Sequence, residues 1–399
     1  MVLYQNIKQY SLIVNIAKRY RMAVTLNEAL KHLTQQVYNK KYCIVPIEQA
    51  LNHICAQEIK ATYALPKFDN SAMDGYALLS SHQEKTIKVV DTIFAGDHNN
   101  IELTNSTCVK IMTGARVPQN CEAILPFEEA QEVSEDEIIV PKGIKKYQHI
   151  RYIGEDIQCN ETLLQKGDSI NFAKITLLAS QGITHIKVFK KPKVVVFASG
   201  EELKLHYEKI ASYQIYNSNT PTLIARCQEL GCEVDFIGQA QDSVSSLQAS
   251  IQNALGADLI ITTGGVSVGE ADFTKEAFEA FDFTTIFDGI MIKPGKPTIF
   301  GKINESLIIN LPGNPLAGAL ILELFVKILI QKLKGSHAYY HNSIHAQLSE
   351  ALSNKKGRET IVPGYFDGAF FTPSKKRSPG MVSVLSQCNS MIVLNKQVE

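Results

Sequence analysis

The order of hydrophobic runs predicts a multidomain α/β protein, with one open, mostly parallel sheet flanked by helices and with β-rich segments before and after it. Three observations carry this. The continuous apolar run Val194–Ala198 and the buried-strand pattern of Leu259–Thr263 suit strands covered on both faces, and Leu307–Leu311 reads as a further strand. Stripes of helical spacing lie between these runs, the alternation that specifies parallel strands joined by crossovers. Outside about 192–335, short β-like runs alternate with turn signals.

Along the chain, Leu26, Ala29, Leu30 and Leu33 fall at i, i+3, i+4 and i+7, which predicts a helix. Ile47, Ala50, Leu51 and Ile54 repeat that pattern and predict a second one. Lys88–Ile93, Cys108–Met112 and Ile138–Val140 read as strands of a β-rich unit, with Gly96-Asp97 as a turn. A helix near Phe172–Gln181 and a strand at His185–Phe189 follow. Within the α/β segment, Leu223, Cys227 and Leu230 form a helix stripe that Gly231 stops. Glu233–Gly238 is a strand, Val244, Leu247, Ile251 and Leu255 mark a helix, and Asp272–Phe281 marks another. Pro315 opens a long apolar helix with proline in its first position. After Gly335, the runs Ala346–Leu348, Thr360–Pro363 and Met381–Leu385 are expected strands of a small β domain.

Composition narrows the function classes. Forty basic residues balance forty acidic ones, so no net field draws the chain to nucleic acid or to an anionic membrane. The segment Pro315–Leu333 carries Glu323, Lys327 and Lys332, charges that are costly in lipid, and reads as a buried helix. The run Tyr10–Ala17 is broken by Asn15 and followed by Lys18, Arg19 and Arg21, so it is read as no signal peptide. The eight cysteines include no CxxC pair, which argues against structural zinc and for buried thiols in a reducing cytosol.

Several motifs stand at strand ends, where ligands of open α/β sheets bind. In Asp258-Leu-Ile-Ile-Thr-Thr-Gly-Gly-Val-Ser-Val-Gly-Glu-Ala-Asp-Phe273, a buried strand runs into Gly264-Gly265, Ser267 and Gly269. Glycines there let backbone N–H groups approach phosphate oxygens; the alternative is a tight turn without a ligand. Ser267 and the acidic pair Glu270/Asp272 favour a site, although Asp272 equally suits capping or charging the start of a helix. Leu311-Pro-Gly-Asn-Pro-Leu316 offers Asn314 as a natural N-cap on the same sheet edge. Ser199-Gly-Glu-Glu-Leu203 brings carboxylates that make sense beside a divalent cation or as a general base, or else as solvated loop residues. Lys293-Pro-Gly-Lys-Pro297 fixes two cations in a rigid turn, suited to an oxyanion or simply exposed. Phe68-Asp-Asn-Ser-Ala-Met-Asp-Gly-Tyr-Ala77 places Asp74 between apolar neighbours, although its residue types alone describe an ordinary Asp-Gly turn. Ile111-Met-Thr-Gly-Ala-Arg-Val-Pro118 and Arg151-Tyr-Ile-Gly-Glu-Asp-Ile157 each join a turn glycine to a charge.

Together and in this order, these stretches resemble the MoeA family, which includes the corresponding domain of gephyrin, over about Ala23 to Leu394. The resemblance implies an extension at 1–21, a linker and dimerisation domain from 22–60 and 151–190, and a β-rich domain inserted at 61–150. An α/β domain of the molybdopterin-binding type follows at 191–335, and a β domain at 336–399 ends the chain. It implies a cytoplasmic molybdopterin molybdotransferase that inserts molybdate into adenylylated molybdopterin, with Mg2+-dependent release of AMP. Gly264, Gly265, Ser267 and Asn314 then match positions around phosphate and pterin. Glu202, Asp242 and Asp272 match acidic cleft positions that place Mg2+. Asp74 and Asp156 match acidic positions supplied by the second subunit of a homodimer. Lys293 and Lys296, with Arg358 and Ser378, resemble the molybdate surroundings. Transient contact with the adenylyltransferase and with acceptor molybdoenzymes is implied too. Departures from the family pattern are Gly289, where a lysine is frequent, Glu201 for an aspartate, and a weak match in the last domain.

Two other readings compete. Adenylyltransferases share the α/β domain but lack anything like residues 23–190. A gephyrin-like scaffold would not need Asp74, Asp156, Asp272 and both lysines of Lys293-Pro-Gly-Lys-Pro297 together.

Overall fold

The computed structural model describes residues 23–36, 40–98, 101–265, 273–354 and 358–395. The expected extension at 1–21, and Ser267 and Asp272 among the candidate site residues, lie outside them. Two compact units result. One comprises Met1–Ala56, Lys166–Asn171 and His185–Glu399, and the other comprises Gln57–Gln165 and Phe172–Thr184.

The first unit is built on a six-stranded sheet. Its strands are β1 (Lys193–Ser199), β2 (Glu233–Ala240), β3 (Leu259–Thr263), β4 (Thr284–Asp288), β5 (Ile299–Ile303) and β6 (Ser306–Leu311), in the order β2-β1-β3-β6-β5-β4. β2, β1, β3 and β6 run parallel, with Val194 opposite both Val234 and Leu259, and Leu259 opposite Leu307. β5 pairs antiparallel with both β6 and β4. The sheet is therefore mixed, because residues 289–298 carry the chain outside the sheet between β4 and β5 and the tight Asn304-Glu305 turn forms a hairpin between β5 and β6.

Alternation within the continuous apolar strands supplies two cores. Val194, Val196, Leu259, Ile261, Leu307 and Ile309 join one apolar layer, while Val195, Phe197, Ile260 and Ile308 join the other. Successive side chains of a strand point to opposite faces, so such runs demand cover on both. Helix α1 (Asn219–Glu229) covers the first layer with Leu223 and Cys227, and Gly231, at φ +84°, turns the chain away from it. Helices α2 (Val244–Ala254) and α3 (Phe273–Glu279) cover the second, with Ser243 capping α2 through the N–H of Ser246.

The long apolar segment is helical from Pro315 to Lys334, with a π-turn over Leu322–Val326. Glu323 accepts two hydrogen bonds from Arg226 of α1, at 2.5 and 3.0 Å, so its charge is matched where it enters the layer. The helix Leu26–Thr34 packs on its second half, with Ala29 and Leu33 in the same core as Leu329 and Ile330. A capping box starts that helix: Thr25 accepts from the Glu28 N–H and Glu28 accepts from the Thr25 N–H. The apolar surface of 315–334 is thus covered largely within the unit.

Two expected elements are absent. Ile47–Ile54 is no helix: a single 3-10 turn spans Ile47–Gln49, Asn52 has φ +65°, and Ile54 bridges to Ser169. Ile47, Ala50 and Ile54 are buried as expected, but by a turn feeding strand-like pairing. Met381–Leu385 is no strand either: Leu385 and Gln387 donate back to Val382 and Val384, and the turns drive Val384 into the main core. The last sheet instead joins Ile292–Lys293, Glu359–Phe366, Phe370–Pro373, Gln347–Leu348 and Ser390–Leu394. The cysteines are only partly buried as a set: Cys55, Cys108, Cys227 and Cys232 are buried, whereas Cys159 is exposed.

The second unit contains a six-stranded sheet in the order Ala123–Pro126, Gly75–Leu78, Thr107–Ile111, Thr86–Ile93, Glu137–Ile139, Gln131–Ser134. Gly75 is required there, since a Cβ would lie 2.1 Å from the carbonyl oxygen of Leu125. Helix Phe172–Ser180 leads to Gln181, whose Oε1 accepts from the N–H of Thr62 at 3.0 Å. Among the described residues no helix is long and apolar enough to cross a membrane.

Ile309 is fully buried at the centre of the first sheet, whereas Ile44 is 69% exposed. Ile309→Ala is expected to cost about 2–5 kcal/mol, and Ile44→Ala less than about 0.5 kcal/mol. Urea unfolding of the two variants, followed by circular dichroism, checks the contrast; equal midpoints would mean that this sheet does not limit stability.

Candidate active site

β1, β3 and β6 end on one edge, and each opens into a loop with polar residues. After β1, Gly200 (φ +147°) turns the chain, and Gln239 of β2 holds the loop by donating to the carbonyls of Gly200 and Leu203 at 2.8 and 2.9 Å. Asp242 lies beside it, its Oδ2 accepting from the Glu201 N–H at 3.4 Å. After β3, Gly264 and Gly265 have φ of +94° and +65°. A Cβ on Gly264 would sit 2.3 Å from the Ser199 carbonyl oxygen, and one on Gly265 2.4 Å from Thr274 Oγ1. Both positions therefore need glycine, for backbone sign and for space. After β6, Pro312–Asn314 leads into the helix at Pro315.

These loops are tied to one another. Asn219, the first residue of α1, donates through Nδ2 to Gly313 O (2.7 Å) and to Thr263 Oγ1 (3.1 Å). Asn310 of β6 donates to Thr262 Oγ1 at 2.6 Å and to Gly264 O at 3.3 Å. Thr274 Oγ1 donates to Gly265 O at 2.9 Å. The result is a cleft of about 940 Å³ whose walls include Glu202, Asp242, Gly264, Gly265 and Asn314. Five of the candidate residues thus meet in one place, two of them carboxylates beside a glycine turn.

Asn314 occupies the N-cap position, but its side chain makes no capping hydrogen bond. The carbonyl of Pro379 takes the N–H groups of Leu316 and Ala317 instead, at 2.9 and 3.3 Å. That contact docks the turn at Pro379 on the helix start and brings Gly380 and Val382 to the cleft wall. Asn314 is left exposed and free to face a ligand.

Lys293 and Lys296 are exposed on a turn whose final Pro297 borders the cleft. The turn is rigid: Lys296 O accepts from the Ile290 N–H, and Thr298 Oγ1 donates to Gly295 O at 2.7 Å. Ile292–Lys293 pairs with Glu359–Thr360, which brings the backbone of Lys293 alongside the strand that Arg358 precedes. Arg358 and Ser378 are both exposed. Ser378 O accepts from the Met381 N–H in the turn that presents Gly380.

Asp74 and Asp156 belong to the second unit, and both are exposed. Asp74 Oδ1 accepts from Thr113 twice, from the N–H at 2.7 Å and from Oγ1 at 2.8 Å. The Thr113 N–H, then its hydroxyl, hold the Asp74 carboxyl below the ordinary aspartate value of 3.8. Asp74 is thus a fixed carboxylate rather than one desolvated by apolar neighbours.

The segment Tyr216–Asn219 also lines the cleft and was not among the residues singled out from sequence. Its signal, two asparagines and a serine at the start of a helix, is common in capping turns. Its place on the ligand edge depends on the sheet order. Among the described residues no group of three or more His, Cys, Asp or Glu is arranged to hold a metal ion.

Comparison with known proteins agrees with this layout. Residues 24–182 match the MoeA N-terminal region (domains I and II), and residues 195–332 match a probable molybdopterin-binding domain. A molybdopterin molybdenumtransferase from Staphylococcus aureus (strain COL) is 32% identical over 389 residues, 94% of this chain and 92% of that one. Its counterpart from Staphylococcus epidermidis (strain ATCC 12228) is 31% identical with the same coverage. The solved structure of a molybdopterin biosynthesis MoeA protein from Pyrococcus horikoshii OT3 superposes with a TM-score of 0.82 at 25% identity, over 95% of this chain and 97% of that one.

A carboxyl depressed in the folded protein adds stability that is complete above its unfolded value and is lost as pH falls through its folded value. For Asp74 the loss therefore falls below pH 3.8. Thr113→Val removes the hydroxyl donor but keeps the N–H, so the Asp74 titration is expected to move part of the way back toward 3.8. Carbon NMR of the labelled carboxyl reads this directly; an unmoved titration would assign the whole effect to the backbone N–H.

Proposed function

The chain belongs to the MoeA family and is a molybdopterin molybdenumtransferase, and we propose that the cleft at the ends of β1, β3 and β6 is where adenylylated molybdopterin receives molybdate. The observation that carries this assignment is the joining of the Gly264–Gly265 turn to Glu202 and Asp242 in one cleft. The turn lets backbone N–H groups approach a phosphoryl oxygen, and the carboxylates stand where a cation would contact the same group.

The donor set fits Mg2+. This ion commonly takes one or two carboxylates and completes its shell with water and substrate phosphates, so a dedicated cage of three protein ligands is not required. Glu202 and Asp242 would hold it, with Asp272 as a third candidate. When bound, it supplies charge neutralisation of the phosphoanhydride that releases AMP. The protein's part is orientation. Gln239 and the Asp242 contact fix the loop bearing Glu202, and Asn219 holds the Gly313 turn against Thr263, so that Asn314 and the glycines approach the ligand from set directions. In this reading Ser267 adds a hydroxyl to the glycine turn. Lys293 and Lys296, assisted by Arg358 and Ser378, receive the molybdate oxyanion, their rigid turn limiting the entropy lost on binding.

We further propose a cytoplasmic homodimer in which Asp74 and Asp156 of one chain complete the cleft of its partner. Thr113 holds Asp74 in one geometry in advance. Transient contact with the adenylyltransferase and with acceptor molybdoenzymes would deliver substrate and remove product.

In a purified assay with adenylylated molybdopterin, molybdate and Mg2+, Glu202→Gln and Asp242→Asn are each expected to slow cofactor formation roughly 10²-fold. Wild-type rates in both variants would place the chemistry elsewhere. The dimer makes a separate demand. Inactive Asp74→Ala chains mixed with inactive Asp242→Ala chains should regain roughly a quarter of wild-type activity, since about half the dimers are mixed and each mixed dimer has one intact site. No recovery, with exchange verified by mass, would show that each chain completes its own site.

A further inference from the structure

The strap Ile215–Ser218 crosses the cleft edge with an arrangement that phosphate or metal binding leaves unexplained. It is zipped to the loop carrying Glu202: the Ile215 N–H donates to Glu202 O at 2.9 Å and the Asn217 N–H to Lys204 O at 2.7 Å. Tyr216 is 47% exposed and lines the cleft, with its hydroxyl anchored on Glu208 O at 3.2 Å. Its ring is therefore held in place without being buried.

Asn217 is the second observation. It is only 3% exposed yet lines the cleft. Its Oδ1 accepts from the Thr220 N–H at 3.1 Å, while its buried Nδ2 has no partner. A buried donor left unpaired is costly, and one beside a ligand cleft is ready for a ligand acceptor. Ser218, next in line, also borders the cleft and makes no capping hydrogen bond.

The start of α1 is poorly equipped for an anion. The Thr220 N–H is spent on Asn217, residue 221 is proline and has none, and the Thr222 N–H goes to Ser218 O. What remains is an aromatic face beside an amide donor and a hydroxyl. That combination suits a flat heterocycle with an apolar face and hydrogen-bond acceptors on its edge.

We propose that Tyr216, Asn217 and Ser218 form a ring-recognition subsite: Tyr216 covers the face of a planar nitrogen heterocycle of the substrate, and Asn217 Nδ2 donates to its edge. This rests on the adenylylated pterin as substrate, which carries two such rings. Asn217 and Tyr216 act here as positioning residues for the transfer.

Steady-state kinetics of cofactor formation test it. Asn217→Asp keeps an oxygen for the Thr220 N–H but loses the donor, so KM for adenylylated molybdopterin should rise three- to tenfold with kcat nearly unchanged. Tyr216→Ala should act likewise, and Tyr216→Phe, which keeps the ring, should restore most of the affinity. Calorimetric titration with AMP then separates the sources: weakened AMP binding in the variants identifies adenine, and unweakened binding with a raised KM identifies the pterin. An unchanged KM in either Asn217→Asp or Tyr216→Ala overturns the proposal. Absence of cofactor formation by the wild-type protein would instead sink the functional reading, and AMP titration alone would then judge the strap, unchanged affinity counting against it.

Discussion

The constraint on which the first unit depends is the burial of β1, β3 and β6 on both faces. Val194 and Val196 feed one apolar layer while Val195 and Phe197 feed the other, and β3 and β6 repeat the alternation. A strand with two apolar faces has no stable place except between two layers of cover. Parallel strands must be joined by crossovers, so the cover comes as helices α1, α2 and α3 and the helix 315–334. All polar business is thereby displaced to the strand ends. There the backbone leaves the core, and Ser199, Thr263 and Leu311 give way to glycines, carboxylates and asparagines.

The same burial makes the loops interdependent. Asn310 and Thr262 are buried polar residues on adjacent strands, and Asn310 Nδ2 donates both to Thr262 Oγ1 and to Gly264 O. Asn219 does the equivalent on the other side by bridging Gly313 and Thr263. The effect of the two asparagines is to give each loop one conformation relative to its neighbour, which a site with several contacts to one ligand requires. Gly264 and Gly265 complete the arrangement, since any side chain there would meet Ser199 or Thr274.

Electrostatic matching follows local rules in both units. Glu323, half-buried on an otherwise apolar helix, is met by Nε and Nη2 of Arg226. Lys334, which is buried, donates to Leu230 O at the end of α1, a place where a cation favours the helix dipole. In the second unit, Asp74 stays in water but is held by Thr113, so its orientation comes from hydrogen bonds and not from an ion pair.

The strands at Val194–Ala198, Leu259–Thr263 and Leu307–Leu311 were legible from sequence alone, because double-sided burial leaves runs that are apolar apart from Thr262, Thr263 and Asn310. The helix starting at Pro315 was legible because proline fits only the first turn. The Gly264–Gly265 turn and Glu202 were legible as candidates by residue type and by their place after strands, and Asp242 through the family resemblance. Tertiary structure decided the rest. The edge strand Thr284–Asp288 and its neighbour Ile299–Ile303 have neither continuous apolar character nor a clean alternation, and their pairing is set by the neighbours they meet. Ile47–Ile54 and Met381–Leu385 carry apolar residues at helix-like or strand-like spacing, but the core accepts them as turns that insert Ile47, Ile54 and Val384. Asn217 and Asn219 look like ordinary helix-start residues until the sheet order brings the start of α1 to Thr263 at the end of β3 and to Gly313 after β6. Periodicity reports which residues are buried, whereas only the three-dimensional arrangement determines which partner buries them and which polar group is left facing the cleft.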